Sequence, residues 1–431
     1  MYHPILRQSA QRQLKMIGDV DLVIGLPTYK NAHIAAHVAC IALTGARQYY
    51  PHLRTVLINA DVGLEATTRR LVAAQASAND ANRIVINGRY TGLLGQGSAI
   101  AALLDAALAL DAKAIIILDS HTQTITPNWI AGLAHLILED KADLVMPRYQ
   151  WALPGGALSD LIVYPLFRAV WGQSVRHPAA PDFALSPHLA TALLDEDIWE
   201  TEVATFGLPP WLTTYAALNG WRVTQSALGE KRTTSHLFLV PSHRDKLNQI
   251  KRIEAQFKFQ FHNVMSILLR SLYDYRDHWD RVEDCHSLST LTQFASFVKP
   301  PPTPEKDLTF LLDNLALGWI EYRALWQHIL RPDHLAELEA LAALPPDRFY
   351  FPPNLWARII YDFAVVFNKG EDDPTQIIYS LFPLYEGRLA AFWQEIAGLS
   401  IVGYEGTVAA QAVEFEEARS YLKTRWQAYP P

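Results

Sequence analysis

The sequence predicts an α/β domain of Rossmann-like type over residues 1–240, followed by an all-α domain over 241–431. Three observations carry this. In the first half, short apolar runs ending in Gly, Pro or Asp alternate with longer Ala- and Leu-rich segments, the pattern of a parallel sheet with helices on both faces. The most apolar of these runs, Lys113 to Leu118, stops at Asp119-Ser120-His121, which sets polar side chains where a strand ends. Beyond residue 240 the period changes: Ile250, Ile253, Phe257, Phe261, Val264 and Leu268 are separated by steps of three or four, one stripe of a helix.

In order along the chain, Asp21 to Pro27 reads as a buried strand stopped by Gly25 and Pro27, and Ala32 to Tyr49 as the helix after it. Arg54 to Asn59 repeats the strand pattern, Thr67 to Ala76 reads as helix, and Arg83 to Ile86 as a third strand. The Gly-rich segment Gly92 to Gly97 leads into a helix from Ser98 to about Leu110, ahead of the Lys113 strand. Asp195 to Ala204 reads as helix. Lys299-Pro-Pro-Pro-Thr-Pro304 cannot continue a helix and reads as a linker, and Leu308 to Leu330, Leu335 to Leu344, Asn354 to Phe367 and Gly406 to Tyr429 read as helices. In open α/β sheets ligands sit outside the carboxyl ends of strands, so Asp61, Gly95 to Gly97 and Asp119 to His121 are expected to converge on one crevice.

Composition sets the bounds. A chain of 431 residues exceeds the size at which a single core stops growing, and with half its residues hydrophobic and 19% charged it can bury two. A net charge of −7 offers no footprint for nucleic acid. The first residues lack the apolar run of an export signal, and the stretch from Ala99 to Leu118 is broken by Asp105, Asp111 and Lys113, so a cytoplasmic protein with no membrane span is expected. The two cysteines, Cys40 and Cys285, match neither a disulfide framework nor a zinc site. No period of 20 to 50 residues suggests a solenoid.

The ordered set Gly25-Leu-Pro-Thr-Tyr-Lys-Asn-Ala32, Asn59-Ala-Asp61, Gly95-Gln-Gly-Ser98, Asp119-Ser-His121, Val163-Tyr-Pro-Leu166 and Trp211-Leu-Thr-Thr214 resembles the glucosylglycerate synthase group. These enzymes are similar to mannosylglycerate and glucosyl-3-phosphoglycerate synthases. The resemblance covers residues 20–235. It implies a GT-A (nucleotide-diphospho-sugar transferase) fold and a retaining transfer of a hexose from a nucleotide-diphosphate sugar to glycerate, 3-phosphoglycerate or a similar small hydroxy acid. A divalent metal, Mn or Mg, would assist by stabilising the charge of the leaving diphosphate. It also implies that Pro27, Tyr29, Asp61, Gly95, Gln96, Gly97 and Asp119 face the donor, that Asp182 faces the acceptor, and that the metal site falls near His121 and His236.

The residues themselves depart from that pattern at charged positions. His121 replaces the second acid of an Asp-x-Asp triplet, and imidazole suits Mn far better than Mg. Gln96 stands where a lysine would meet the diphosphate, Pro209 where an acid would precede Trp211, and Thr233 where a histidine would follow Lys231. Each candidate also has a plainer reading: Asp61, Asp119 and Asp182 as turn acids, Gly95 to Gly97 as an ordinary loop, His121 and His236 as solvated side chains, Glu200 and Glu202 as surface acids. Trp151, Trp171 and Trp211 are the candidates for stacking on a sugar. Two functions therefore stay open, an active glycosyltransferase with a rearranged site and a pseudo-glycosyltransferase serving as an interaction module. Leu247, Ile250, Phe257, Phe261, Val264 and Leu268 also fit a heptad register with Glu254 in its seam, which leaves a homodimer open beside burial inside the helical domain.

Overall fold

A computed structural model of the chain describes residues 2–75, 82–151, 156–233, 246–283, 285–293 and 308–429. The chain divides into two compact units. The first comprises Met1–Trp151, Val175–Ser242 and Leu288–Phe297, and the second Ala152–Ser174, His243–Ser287 and Val298–Pro431. A single cut near residue 240 therefore leaves out one exchange: residues 152–174, with the Val163–Leu166 motif, belong to the helical unit, and a short segment near 290 returns to the sheet.

Among the described residues the sheet has eight strands: β1 (Leu22–Thr28), β2 (Thr55–Asp61), β3 (Arg83–Gly88), β4 (Ala114–Ile117), β5 (Leu144–Trp151), β6 (Phe183–Leu185), β7 (Val223–Lys231) and β8 (Thr290–Leu291). Their order is β3-β2-β1-β4-β6-β5-β7-β8. Strands β1, β2, β3 and β4 are parallel, as apolar runs joined by helices require. The expected all-parallel sheet is corrected by β6, which runs antiparallel to both β4 and β5. Three residues are too few to show a period, and direction of pairing is not written in a local pattern. The expected class of the two parts is nonetheless present, a Rossmann-like α/β sheet unit and an all-α unit.

The sheet is covered by helices, among them Ala32–Tyr49 and Gln96–Leu108, whose buried faces are rich in alanine. Small side chains let these helices lie close on the branched residues of β1 and β4, all fully buried. Residues 195–201 are not helical: only Glu202–Ala204 forms a 3-10 turn, capped by the Thr201 hydroxyl on the Val203 amide. The expected helix from Asp195 to Ala204 is replaced by turns that follow the end of helix Pro187–Leu194, with Thr201 extended ahead of the 3-10 turn.

The helical unit contains the 29-residue helix Lys246–Asp274 and, from Thr309 on, the helices Thr309–Ile329, Pro332–Ala342, Pro353–Lys369, Pro374–Ile396, Ile401–Glu417 and Arg419–Ala428. The expected helix from Gly406 to Tyr429 is thus two, and Pro374–Ile396 went unpredicted because Pro383 lies inside it. Phe261 and Leu268 are buried and Phe257 packs on Phe382 and Tyr385 within the unit, so this part of the long helix faces its own core, while the side chains of Leu247, Ile250, Ile253 and Glu254 lie outside the described residues. The proline-rich linker lies outside the described residues. No helix among the described residues is long and apolar enough to cross a membrane.

Candidate functional site

At β1 the chain order reverses, with β2 on one side and β4 on the other, so the carboxyl ends of β1 and β4 bound a crevice. From β1 come Pro27, Tyr29 and Asn31; from β4 come Asp119, Ser120 and His121. Ser120 ties the two edges. Its hydroxyl donates to the Pro27 carbonyl at 2.6 Å, while the Asn31 amide donates to the Ser120 carbonyl and hydroxyl, both at 2.8 Å. Asn31 Oδ1 is buried and has no hydrogen-bond partner among the described residues. Tyr29 stands 53% exposed at the rim, with the Lys30 ammonium 5.1 Å from its ring centroid.

Behind Asp119 lies a buried ionic cluster. Because β6 runs against β4, its first residue sits beside the end of β4, and Asp182, just before β6, accepts the Asp119 amide at 2.7 Å. The other Asp182 oxygen accepts from the Tyr149 hydroxyl and the Lys231 ammonium. Lys231 also lies 3.1 Å from Asp119 Oδ2. The Lys231 and Asp182 side chains are 0% exposed and that of Asp119 is 14% exposed, so Asp119 alone of the three opens outward.

The backbone explains the meeting. Between Arg148 and Tyr149 the register of β5 against β7 shifts by one, with Leu228 as the extra residue and Gly229 at φ 82°. A one-residue shift moves side chains to the opposite face, and here it puts Lys231 on the same face as Tyr149. Next to β7, Thr122 pairs antiparallel with Thr233, the Gln123 amide donates to the Arg232 carbonyl at 2.8 Å, and Thr124 bonds the Glu230 carbonyl at 2.7 Å. The segment that follows Asp119 is therefore laced to the segment that carries Lys231.

Charges in the cluster support one another. Burial pushes the Asp119 carboxyl up, but the Lys231 ammonium, His121 and the His121 amide outweigh it and hold it below the ordinary aspartate value. Burial, aided by the Asp119 charge, lifts the Asp182 carboxyl above that value despite Lys231. Burial pulls the Lys231 ammonium down, yet the two carboxylates more than restore it and its pKa ends raised. Burial and the Asp182 charge keep the Tyr149 phenol protonated. His177 stacks on Tyr149 with centroids 5.5 Å apart, and burial, then the Arg176 charge, keep it neutral.

The other predicted residues fall elsewhere. Asp61 is fully buried and bonded on both oxygens, by the Gly63 amide at 2.9 Å and by Arg69 at 2.6 Å, so it closes its own loop. Gly95 and Gly97 answer a packing demand: an added Cβ would meet Thr205 Cα at 2.4 Å and the Val203 carbonyl at 2.3 Å. The Gly97 amide is taken by the Thr205 carbonyl at 2.9 Å, which removes a donor that a phosphate would need. Gln96 is half-buried beside them. Gly97→Ala is therefore expected to cost about 1–3 kcal/mol in urea unfolding. Unchanged stability together with lost nucleotide binding would instead mark a phosphate cradle.

His121 is half-buried at the crevice, and its amide donates to Asp119 Oδ1 at 2.9 Å. His236 lies outside the described residues. Asp182, expected at the acceptor, faces inward with both oxygens engaged. Pro209 is buried in the first turn of helix Leu208–Leu218, Trp211 stacks on Tyr215 at 5.0 Å, and Glu200 and Glu202 are exposed. Trp171 is a core residue of the helical unit, edge-on to Tyr275, and the Trp151 side chain lies outside the described residues.

A divalent cation does not fit between Asp119 and Asp182, whereas His236, expected beside His121 at the metal, lies outside the described residues. Hard cations need several oxygen ligands with lone pairs directed at the ion. Here the Lys231 ammonium already bridges the two carboxylates, and among the described residues no group of three or more His, Cys, Asp and Glu side chains is arranged to hold a metal. Sequence reasoning passed over Lys231 and Tyr149. The available signal was a lysine closing an otherwise buried strand, since a buried lysine implies a paired carboxylate.

The chain matches no family model and no curated protein. It is similar to solved structures of glucosyl-3-phosphoglycerate synthase from Mycobacterium tuberculosis. With the complex of Mn2+, UDP and glucosyl-3-phosphoglycerate it shares 17% identity and a TM-score of 0.39 over 61% of this chain and 81% of that one. For the complex with Mg2+ and UDP the values are 16%, 0.39, 60% and 82%. A further mycobacterial protein gives 16% identity and a TM-score of 0.39 over 63% of this chain and 82% of its own.

Proposed function

We propose that the chain is a glycosyltransferase-like protein that takes a nucleotide-diphosphate sugar in the crevice between the carboxyl ends of β1 and β4 and passes its hexose to a small hydroxy acid such as glycerate or 3-phosphoglycerate. The observation that carries this reading is Asp119: an ionised carboxylate at the switch point of the sheet, fixed from behind and open in front. A carboxylate so held accepts hydrogen bonds from ribose or hexose hydroxyls, and such charge-assisted bonds are stronger than neutral ones. Asn31 and Pro27, tied to Ser120, brace the opposite wall, and Tyr29 offers an exposed aromatic face at the rim.

Calorimetry with UDP-glucose and GDP-glucose tests the reading. One of the two is expected to bind, and Asp119→Asn to weaken it by roughly tenfold or more, the loss of about 1.5–3 kcal/mol for a bond to a charged group. No heat from either sugar, with or without Mn, would sink it.

A second reading is favoured by one observation. Asp61 and Asp182 are both fully buried and saturated by protein donors, which leaves neither of them to act as a general base beside Asp119. On this reading the crevice binds a nucleotide sugar without transferring it, and the chain serves as a pseudo-glycosyltransferase. Hexose transfer to glycerate that is abolished by His121→Ala would exclude it.

A further inference from the structure

We propose that Lys231 is the resident cation of this crevice: its ammonium fills the gap between Asp119 and Asp182, where two facing carboxylates would otherwise hold a divalent ion, so ligand binding at Asp119 proceeds without divalent metal. The second half of this statement rests on the nucleotide-sugar reading above; the first half concerns the protein alone.

The case is geometric. Lys231 touches one oxygen of each carboxylate and is closed in from the other sides by aromatic faces, with Tyr149 at 5.0 Å and Trp129 at 5.8 Å from the ammonium. Aromatic faces attract a cation but give a metal ion no ligand. The remaining carboxylate oxygens hold backbone amides, Asp119 Oδ1 that of His121 at 2.9 Å and Asp182 Oδ1 that of Asp119 at 2.7 Å. A divalent ion entering here would displace protein donors and meet an ammonium of like charge. Nor is Lys231 free to swing away, because hydrogen bonds on both sides of it, Thr124 to the Glu230 carbonyl at 2.7 Å and the Arg232 amide to Thr124 at 2.9 Å, clamp its backbone. One ammonium against two carboxylates also leaves the cluster with a single surplus negative charge at its open side, on Asp119, suited to hydroxyl donors.

Removing the ammonium should uncover a metal site. In Lys231→Ala the two carboxylates face a void, and Mn2+ is expected to bind there in one-to-one stoichiometry, seen as loss of the free Mn2+ signal in electron paramagnetic resonance. Mn2+ should also raise the melting temperature of that variant, and both effects should vanish in Lys231→Ala/Asp119→Asn. The wild type is expected to show no Asp119-dependent site at Mn2+ concentrations below about 1 mM. Saturable Mn2+ binding by the wild type that is lost in Asp119→Asn would overturn the proposal, as would a folded Lys231→Ala that binds no Mn2+. Should Lys231→Ala fail to fold, the comparison of wild type with Asp119→Asn decides alone. Nucleotide-sugar affinity should agree within about twofold in EDTA and in Mn2+, and a metal requirement would overturn the claim. If no nucleotide sugar binds under either condition, the functional reading fails while the Mn2+ titration still judges Lys231.

Discussion

Lys231→Met is expected to destabilise the sheet unit by about 3–5 kcal/mol at neutral pH, because it strands buried Asp182 and nearly buried Asp119 beside each other without their cation. Urea unfolding followed by tryptophan fluorescence measures it, and Trp129, within 5.8 Å of the ammonium, is a local reporter. Lys231→Met/Asp182→Asn is expected to recover much of the loss, since an amide can be buried beside Tyr149 without a countercharge. The pH dependence has a definite sign. Asp119 is held below the ordinary aspartate value of 3.8, so its contribution is present above that value and is lost as the pH falls through its folded pKa. Lys231 is raised, so its contribution is present below the ordinary lysine value of 10.5 and is lost only as the pH rises through its folded pKa. The gap between wild type and Lys231→Met should therefore persist across neutral pH and close toward both extremes. A gap under about 1 kcal/mol at pH 7 would show that the cluster is solvated.

Asp362→Ala should have a comparable effect on the helical unit. Asp362 lies fully buried on helix Pro353–Lys369 and accepts from three other places in the unit: His334 Nδ1 at 2.7 Å, Arg425 Nε at 3.0 Å with the Tyr421 hydroxyl, and the Arg331 amide at 3.3 Å. One carboxylate thus joins the helices Pro332–Ala342, Pro353–Lys369 and Arg419–Ala428. Its removal leaves an arginine, a tyrosine and a histidine without their acceptor, a loss of about 3–5 kcal/mol. Burial, together with the Asp362 charge, raises the Tyr421 pKa, and the variant should lower it toward the ordinary tyrosine value, observable by ultraviolet titration. Hydrogen exchange is expected to show faster opening in helix Arg419–Ala428 with the sheet unit unchanged. Equal loss of protection in both units would contradict this local role.

Much of the fold was legible in advance. Helix Ala32–Tyr49 matches its reading to the residue, and β1 to β4 each lie within two residues of the runs that marked them. A buried parallel strand and an amphipathic helix leave local periods, and those periods survive folding because each element must hide its own apolar side. Asp119 was legible for the same reason, as the first charge after the most apolar strand. Asp61 and the Gly95–Gly97 turn were located correctly at strand and helix ends, but their partners were not, since Arg69 and the 203–205 backbone reach them through space.

What the sequence determined by itself is the class and order of β1 to β4 and of the helices between them, together with the chemistry standing at their edge. What only the tertiary structure decided is the use of that chemistry. A three-residue antiparallel strand delivers Asp182 to the end of β4, and a one-residue shift between β5 and β7 turns Lys231 onto the same carboxylates. Both depend on pairing between distant segments, whose direction and register arise from the sum of the packing and appear in no local pattern. They close a lysine against two carboxylates at the end of β4, a meeting that no local pattern announces.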